Sequence, residues 1–266
     1  MFLNKFLFLI FISIIYANAQ NSKLDRIIED KNIKVCIWPE YYGISYLDKR
    51  TQELVGIEID LAIQLAKDLE VEVEFIESSF ADLISDITNN KCDIAMFAIG
   101  DTPQRRGKIR FNTPHLQSDI YAITTKNNKK ITSWDDIDKD GVIVAVAKGT
   151  YHEPVMKEKL KNAKLLVVDD LNTRQQEVHA GRADVFMTDY PFVKRMLKQT
   201  SWAKLISPTE TYHLTDYSWA MAYGDDKFYN RVEQFIKDIK DDGRLEEIAI
   251  KNELEQIVKL KQYYEK

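Results

Sequence analysis

The chain has 266 residues, with 37 basic and 42 acidic side chains and a formal charge of −5. Both signs are interspersed and no basic stripe forms, which excludes nucleic acid and anionic membrane surfaces as electrostatic partners. No CxxC, HExxH or His-rich cluster occurs, so the sequence offers no metal site and implies no cofactor.

The first nineteen residues read as a leader. Lys5 supplies a short basic region, Phe6 to Tyr16 is an unbroken apolar run, and Ala17-Asn18-Ala19 is the small-x-small pattern a signal peptidase needs. Cleavage is expected before Gln20. The run is too short for a stable bilayer anchor, which needs about 20 apolar residues, and no Cys stands nearby to carry a lipid. Removing the leader takes away only Lys5, so the formal charge becomes −6 (36 basic against 42 acidic). About 245 residues remain, enough for one large or two modest α/β domains.

Ser22 caps a short helix, Lys23 to Asp30. Ile33 to Trp38 (IKVCIW) reads as a buried strand stopped by Pro39. Gly56 leads into a helix with Ala62, Leu65, Ala66 and Leu69 at helical spacing. Val71, Val73 and Phe75 alternate as in a half-buried strand, Phe80 to Asn89 is a helix capped by Ser79, and Asp93 to Ala98 is a buried parallel strand. After Ile120 the alternation resumes. Strands Val142 to Ala147, Lys164 to Val168 and Asp184 to Thr188 interleave with helices reaching about Lys161, Thr173 to Ala180 and Pro191 to Lys198. Tyr217 to Tyr223 is a further strand, followed by helices near Lys227–Lys240 and Arg244–Lys259. Strands alternating with helices predict two parallel α/β sheets. No Gly-, Pro- or Ser-rich linker separates the halves, so strands join them, as suits a hinge.

Cys36 and Cys92 are an even pair in an oxidising compartment, which invites a disulfide. Both are read on neighbouring parallel strands, offset by two or three residues, beyond the reach of a disulfide. Buried free thiols are therefore expected.

Open α/β sheets bind ligands at the carboxyl ends of their strands, and three such ends carry unusual residues. After Asp93–Ala98 comes Gly100, where backbone can approach a ligand closely, and five residues later Arg105, whose planar fork suits a carboxylate. From spacing alone, Arg105 and Arg106 also read as a solvated basic turn. Lys148-Gly149-Thr150-Tyr151 feeds a helix N-terminus, either an anion site or a plain helix entry. Asp189 follows an apolar strand and either pairs an ammonium group or caps the helix beginning at Pro191. Together these groups complement an α-amino acid. His115, His152, His179 and His213 are isolated, and no nucleophile elbow appears, so no catalytic constellation emerges.

Several separated motifs now carry a family. Gly56-Ile57-Glu58-Ile59-Asp60-Leu61-Ala62 is similar to a GFDVDLA segment. Asp93 through Pro114 resembles a block with a T-P-E-R core, Gly181-Arg182-Ala183-Asp184 up to Asp189 a G-x-x-D-A-x-x-x-D block, and Asp242-Gly243-Arg244-Leu245 a C-terminal signature. All four belong to the extracellular solute-binding proteins of polar amino-acid ABC transporters, and the likeness runs over roughly residues 23 to 255. The resemblance implies a two-lobed periplasmic-binding-protein fold, each lobe a mainly parallel sheet flanked by helices, with a two-strand hinge. Residues 1–19 are then a signal peptide, 23–117 with 215–266 lobe one, and 118–214 lobe two. It implies that Arg105 grips a ligand carboxylate with the Gly100 N–H. Ala98 offers a carbonyl to the ammonium, Tyr151 after Gly149-Thr150 gives an N–H, Asp189 binds the ammonium, and Trp38 and Tyr41 line the side-chain pocket. A monomer in the periplasm serving a membrane permease is expected.

Departures shape the ligand. Gly100 lacks the hydroxyl many members direct at the ammonium, and Trp38 replaces an acid found in binders of cationic amino acids, which leans toward an uncharged or aromatic side chain. His115 stands where a Tyr commonly follows the proline. The opening Ser22-Lys23-Leu24-Asp25-Arg26-Ile27-Ile28 and Met187-Thr188-Asp189 also resemble the periplasmic cyclohexadienyl dehydratases, which use a glutamate three residues after this aspartate as general acid on prephenate or arogenate. Here that position is Phe192, which holds no proton to donate.

Overall fold

The computed structural model describes residues 22–260; the expected leader and its cleavage site lie outside the described residues. Two sheets dominate. The first runs in the order Glu72–Glu77, Asn32–Ile37, Ile94–Gly100, Thr215–Met221 and Arg110–Phe111, with Leu116–Ser118 also paired to Thr215–Met221. Its first three strands are parallel and Thr215–Met221 is antiparallel to its neighbours. The second runs Lys164–Val168, Ile143–Ala147, Val185–Asp189, Ile120–Thr125 and Ala203–Ile206, again parallel over three strands and antiparallel over two. Each sheet is the core of one lobe.

The inner parallel strands form where the sequence is mostly apolar, because helices cover both faces, while the edge strand Glu72–Glu77 alternates. Ile94–Gly100 is buried along its whole length at the centre of the first sheet. Helix Ile57–Leu69 turns Leu61, Ala62, Leu65 and Ala66 inward and ends in a left-handed Glu70. The antiparallel strands Ile120–Thr125 and Ala203–Ile206 were not expected, and neither was the ribbon Glu40–Tyr41, Ser45–Asp48 and Glu53–Val55. Two helices are shorter than their periodicity suggests. The one near Phe80 starts only at Leu83, with the Ser79 hydroxyl accepting from the Asp82 N–H at 3.2 Å, and the last ends at Lys251, two residues before a left-handed Glu253.

The chain leaves the first sheet at Ser118, enters the second at Ile120, and returns between Ile206 and Thr215. The two connections lie side by side: Thr215 pairs with Ser118, and the Asp119 carboxylate accepts the backbone N–H groups of Tyr212 and His213 at 2.8 and 2.6 Å.

The expectation of free thiols is overturned, for Cys36 and Cys92 form a disulfide with a Cα separation of 5.6 Å. The register offset was read correctly, since Cys36 stands opposite Ala95. The error lay in treating Cys92 as part of the ladder. The strand starts at Ile94, and the bend before it, held by Asp93 N–H on the Lys34 carbonyl at 2.8 Å, carries Cys92 back over its neighbour.

Candidate functional site

The carboxyl ends of strands from both sheets converge on one cleft. The segments after Asn32–Ile37 and Glu72–Glu77 supply Tyr41 and Phe80. From the other lobe, Thr150, Tyr151 and His152 follow Ile143–Ala147, and Thr188 and Asp189 end Val185–Asp189. They enclose a cavity of about 10 Å³, room for one water. Phe80, Thr150 and Tyr151 also line a wider mouth of about 410 Å³, where Arg105 sits.

Arg105 belongs to the cleft and Arg106 does not. Thr102 caps the short helix Pro103–Arg106 and Pro103 opens it, which turns Arg105 inward to 7% exposure. Its guanidinium donates to the Gly100 carbonyl at 2.7 Å and, across the lobes, to the Gly149 carbonyl at 2.8 Å, while lying over the Phe80 ring. Arg106 points outward and pairs with Asp101. Burial pushes the Arg105 guanidinium down to about 10, so it stays charged at neutral pH. A Cβ on Gly100 would stand 3.2 Å from Thr215 and 3.3 Å from Tyr151, so the fit there favours the bare backbone. Gly149 has a φ of +76° and its missing Cβ would strike Phe80 and Ala81 backbone at 2.7–2.9 Å, so lobe contact itself requires glycine.

Asp189 takes the capping role the sequence allowed, and it also faces the cleft. It caps helix Tyr190–Gln199, accepting the Phe192 N–H at 3.4 Å, and its carboxyl also takes hydroxyl donors from Tyr41 and, at 2.8 Å, Tyr217 of the other lobe. Burial pushes this carboxyl up, while the two phenols, the Phe192 N–H and the Arg174 charge pull it down. Tyr217 and Tyr151 share a hydroxyl contact at 3.2 Å. The Thr150 hydroxyl is spent on the Ala147 carbonyl, which closes the turn entering helix His152–Lys159. Trp38 and Tyr41 pack edge-on against Phe80, which in turn meets Phe97; Tyr41 and Phe80 line the inner cavity, and Trp38 stands behind Phe80.

Ala98 adopts a left-handed φ of 50° within a strand and is held there from behind. Its N–H donates to Glu58 Oε1 at 3.2 Å; the same carboxyl meets His115 Nε2 at 3.3 Å and accepts the Trp219 indole N–H at 2.6 Å. All three side chains are fully buried. His115, isolated in sequence, is thus a strut beneath the site.

Sequence reasoning missed Phe80, Tyr217, His152 and Arg174. Arg174 is 1% exposed on helix Leu171–His179, donates to the Met187 carbonyl at 2.7 Å, and lies over Phe186 and Phe192. A signal existed: Leu171, Arg174 and Val178 are the buried residues of that helix, spaced three and four apart. Burial, together with the charges of Arg174 and Arg105, pushes His152 well below its usual range and leaves it neutral. Such an arrangement can hold an anion and a cation side by side between closed lobes.

Residues 33–252 match the model of the bacterial extracellular solute-binding proteins, family 3. Cyclohexadienyl dehydratase of Pseudomonas aeruginosa is 27% identical over 85% of this chain and 84% of its own. The probable histidine-binding protein of Campylobacter jejuni is 27% identical over 96% and 99%. Among solved structures, the ancestral amino acid-binding protein AncCDT-1, a precursor of cyclohexadienyl dehydratase, is 32% identical with a TM-score of 0.79, covering 86% of this chain and 99% of that one. With the match spanning both sheets and the cleft between them, the chain belongs to the bacterial extracellular solute-binding proteins of family 3.

Proposed function

We propose that this chain captures a free amino acid in the periplasm, closes its two lobes on it, and presents it to the membrane permease of an ABC transporter. The observation that carries the reading is the Arg105 guanidinium, which links a carbonyl of one lobe to a carbonyl of the other across the cleft that holds Asp189. A charged fork at the meeting of two lobes makes closure sensitive to whatever anion it grips. In this reading residues 23–117 with 215–266 move against 118–214, and the mature chain, freed of residues 1–19, acts as a monomer.

The ligand carboxylate takes Arg105 and the N–H groups of Gly100 and Tyr151. Its ammonium takes Asp189 and the Ala98 carbonyl, Thr150 frames the turn, and Trp38, Tyr41 and Phe80 flank the side chain. An amino acid does not fit a cavity of about 10 Å³, so entry requires the lobes to part. Among the bonds that tie the lobes, Arg105 to Gly149 and the Tyr41 and Tyr217 phenols to Asp189 involve the same two charged groups a zwitterion would engage. A ligand therefore exchanges interlobe bonds for its own, and shifts the equilibrium only by its preference for the closed form.

Dehydration chemistry is not adopted. Where the dehydratases carry their acid stands Phe192, fully buried and packed under Arg174. The test is calorimetry with the mature chain and a panel of amino acids. A ligand should appear, and Arg105→Ala should weaken it by about 100-fold, as expected when a buried carboxylate loses its charged partner. Unchanged affinity in the variant would remove the role of Arg105, and phenylpyruvate or phenylalanine formed from prephenate or arogenate would reassign the chain to catalysis.

A further inference from the structure

Resting on that reading, we infer that the ligand carries a second acidic group, held by Arg174. A zwitterion is satisfied by one cation and one anion, here Arg105 and Asp189. The cleft contains a third buried charge. Arg174 lines the inner cavity together with Asp189, Tyr41 and Tyr151, and is 1% exposed. Its bonds are the Met187 carbonyl at 2.7 Å and a marginal 3.5 Å contact from Nη2 to the Thr188 hydroxyl. Among the described residues its Nε has no hydrogen-bond partner, and no carboxylate forms an ion pair with it; Asp189 acts on it only through space. Among the buried charges of the cleft two guanidiniums thus stand with one carboxylate, and their sum is positive.

A structural arginine in a core normally spends its fork on carbonyls or a carboxylate, because a buried charge without a partner is costly. Arg174 instead makes one good hydrogen bond, rests its plane on Phe186 and Phe192, and leaves its Nε unpartnered, in a cavity that Tyr41 and Phe80 of the facing lobe also line. The neighbouring His152 repeats the pattern. It is buried and lines the same cavity, and among the described residues neither ring nitrogen has a partner in hydrogen-bond geometry, although the Thr188 backbone comes close. A neutral imidazole can donate one N–H, so Arg174 and His152 together form a donor set for an anion, one charged and one neutral. Tyr151 and Phe80 line both the inner cavity of Arg174 and the mouth of Arg105, so aromatic surface stands along the path between the two guanidiniums. An α-amino acid with an acidic side chain has this pattern: carboxylate, ammonium, short spacer, second acid. An acidic side chain departs from the uncharged or aromatic one toward which the sequence, with Gly100 and Trp38, leans.

The experiment is calorimetry on the mature chain with glutamate and aspartate against glutamine and asparagine, their uncharged isosteres, and against histidine, cystine and arginine. Glutamate or aspartate should bind at least about 30-fold tighter than its amide, because only the acid neutralises Arg174. Arg174→Met should abolish that preference, leaving acid and amide within a few-fold of each other, with the melting curve confirming a folded variant. Should Arg174→Met not fold, the wild-type panel decides alone. An amide, neutral or cationic amino acid binding as tightly as the acids would overturn this inference while leaving amino-acid capture intact. Binding of none of the panel, together with an Arg105→Ala variant that is indistinguishable from wild type in every assay, would overturn both.

Discussion

Glu58 behind the cleft in one lobe and Arg174 lining it in the other are both buried acid or base side chains, yet they are bonded in opposite ways. Glu58 receives a backbone N–H, an imidazole and an indole N–H, so both of its oxygens are used. Arg174 makes one good bond and leaves its Nε idle. A buried charge that is fully partnered holds a backbone in place; one that is under-partnered is destabilising unless something else completes it. Burial alone therefore does not separate scaffold from site. The unspent donors do.

The lobe holding Glu58 is also the lobe carrying the cross-link, and the largest effect should come from removing it. Opening the Cys36–Cys92 loop, a separation of 56 residues, should cost about 4 kcal/mol on the chain-entropy estimate, read as a fall in melting temperature on reduction or in the Cys36→Ser, Cys92→Ser double variant. An unchanged melting curve would mean the bridge adds nothing to an already rigid lobe. Next comes Glu58→Gln, which places an amide NH₂ where an acceptor is needed by Ala98 or Trp219. A loss of roughly 2–3 kcal/mol is expected, with weakened ligand affinity because the left-handed Ala98 loses its tether. A variant as stable as wild type would show that this network is not the scaffold contrasted with Arg174.

Much of this frame was legible in the sequence because parallel βαβ units write their signals locally. Apolar runs such as Ile94–Ile99 and Val144–Ala147 announce buried strands, and Gly100, Arg105 and Asp189 stand at strand ends, where chemistry is expected. The rest depends on tertiary partners. Ile120–Thr125 and Ala203–Ile206 are short; the first pairs antiparallel with both the second and Val185–Asp189, a register no local pattern encodes. The ribbon from Glu40 to Val55 has strands of two to four residues, below any useful period. Cys92 was misplaced by a bend two residues long. Arg174 was overlooked because a charged residue in a polar helix looks solvated until its position on the Leu171–Val178 face is counted.

Tyr217→Phe probes the seam between the two regions. It deletes a 2.8 Å bond to Asp189 and a 3.2 Å contact to Tyr151, worth about 1 kcal/mol together. The effect should depend on pH. Burial raises the Asp189 carboxyl above its ordinary 3.8, so between that value and the raised native one the folded state binds more protons than the unfolded chain, and this group's contribution falls as pH rises. Tyr217 opposes the shift by donating to the ionised form. Its removal should raise the native value further and steepen the decline, making the variant relatively worse at neutral pH than near pH 4. Parallel stability curves for the two proteins would mean that Tyr41 and Arg174 already hold Asp189 ionised without help.

The smallest change in stability should come from the most drastic loss of charge. Arg174→Met removes a guanidinium that has one good bond, and replaces it with a flexible side chain that can fill the stem and set sulfur against Phe186 and Phe192. The lost bond to the Met187 carbonyl and the lost field on Asp189 oppose the relief of desolvation, and burial already pushes Arg174 down to about 10. Since well-packed apolar replacements of buried charges are often neutral or stabilising, the net should lie within about 1 kcal/mol of zero. A site residue that costs stability is retained for what it binds, so a neutral or slightly stabilised variant fits a ligand contact. A loss of about 3 kcal/mol or more would make Arg174 a second Glu58, a strut whose free donors are incidental. Chemical denaturation separates the two outcomes without any ligand present.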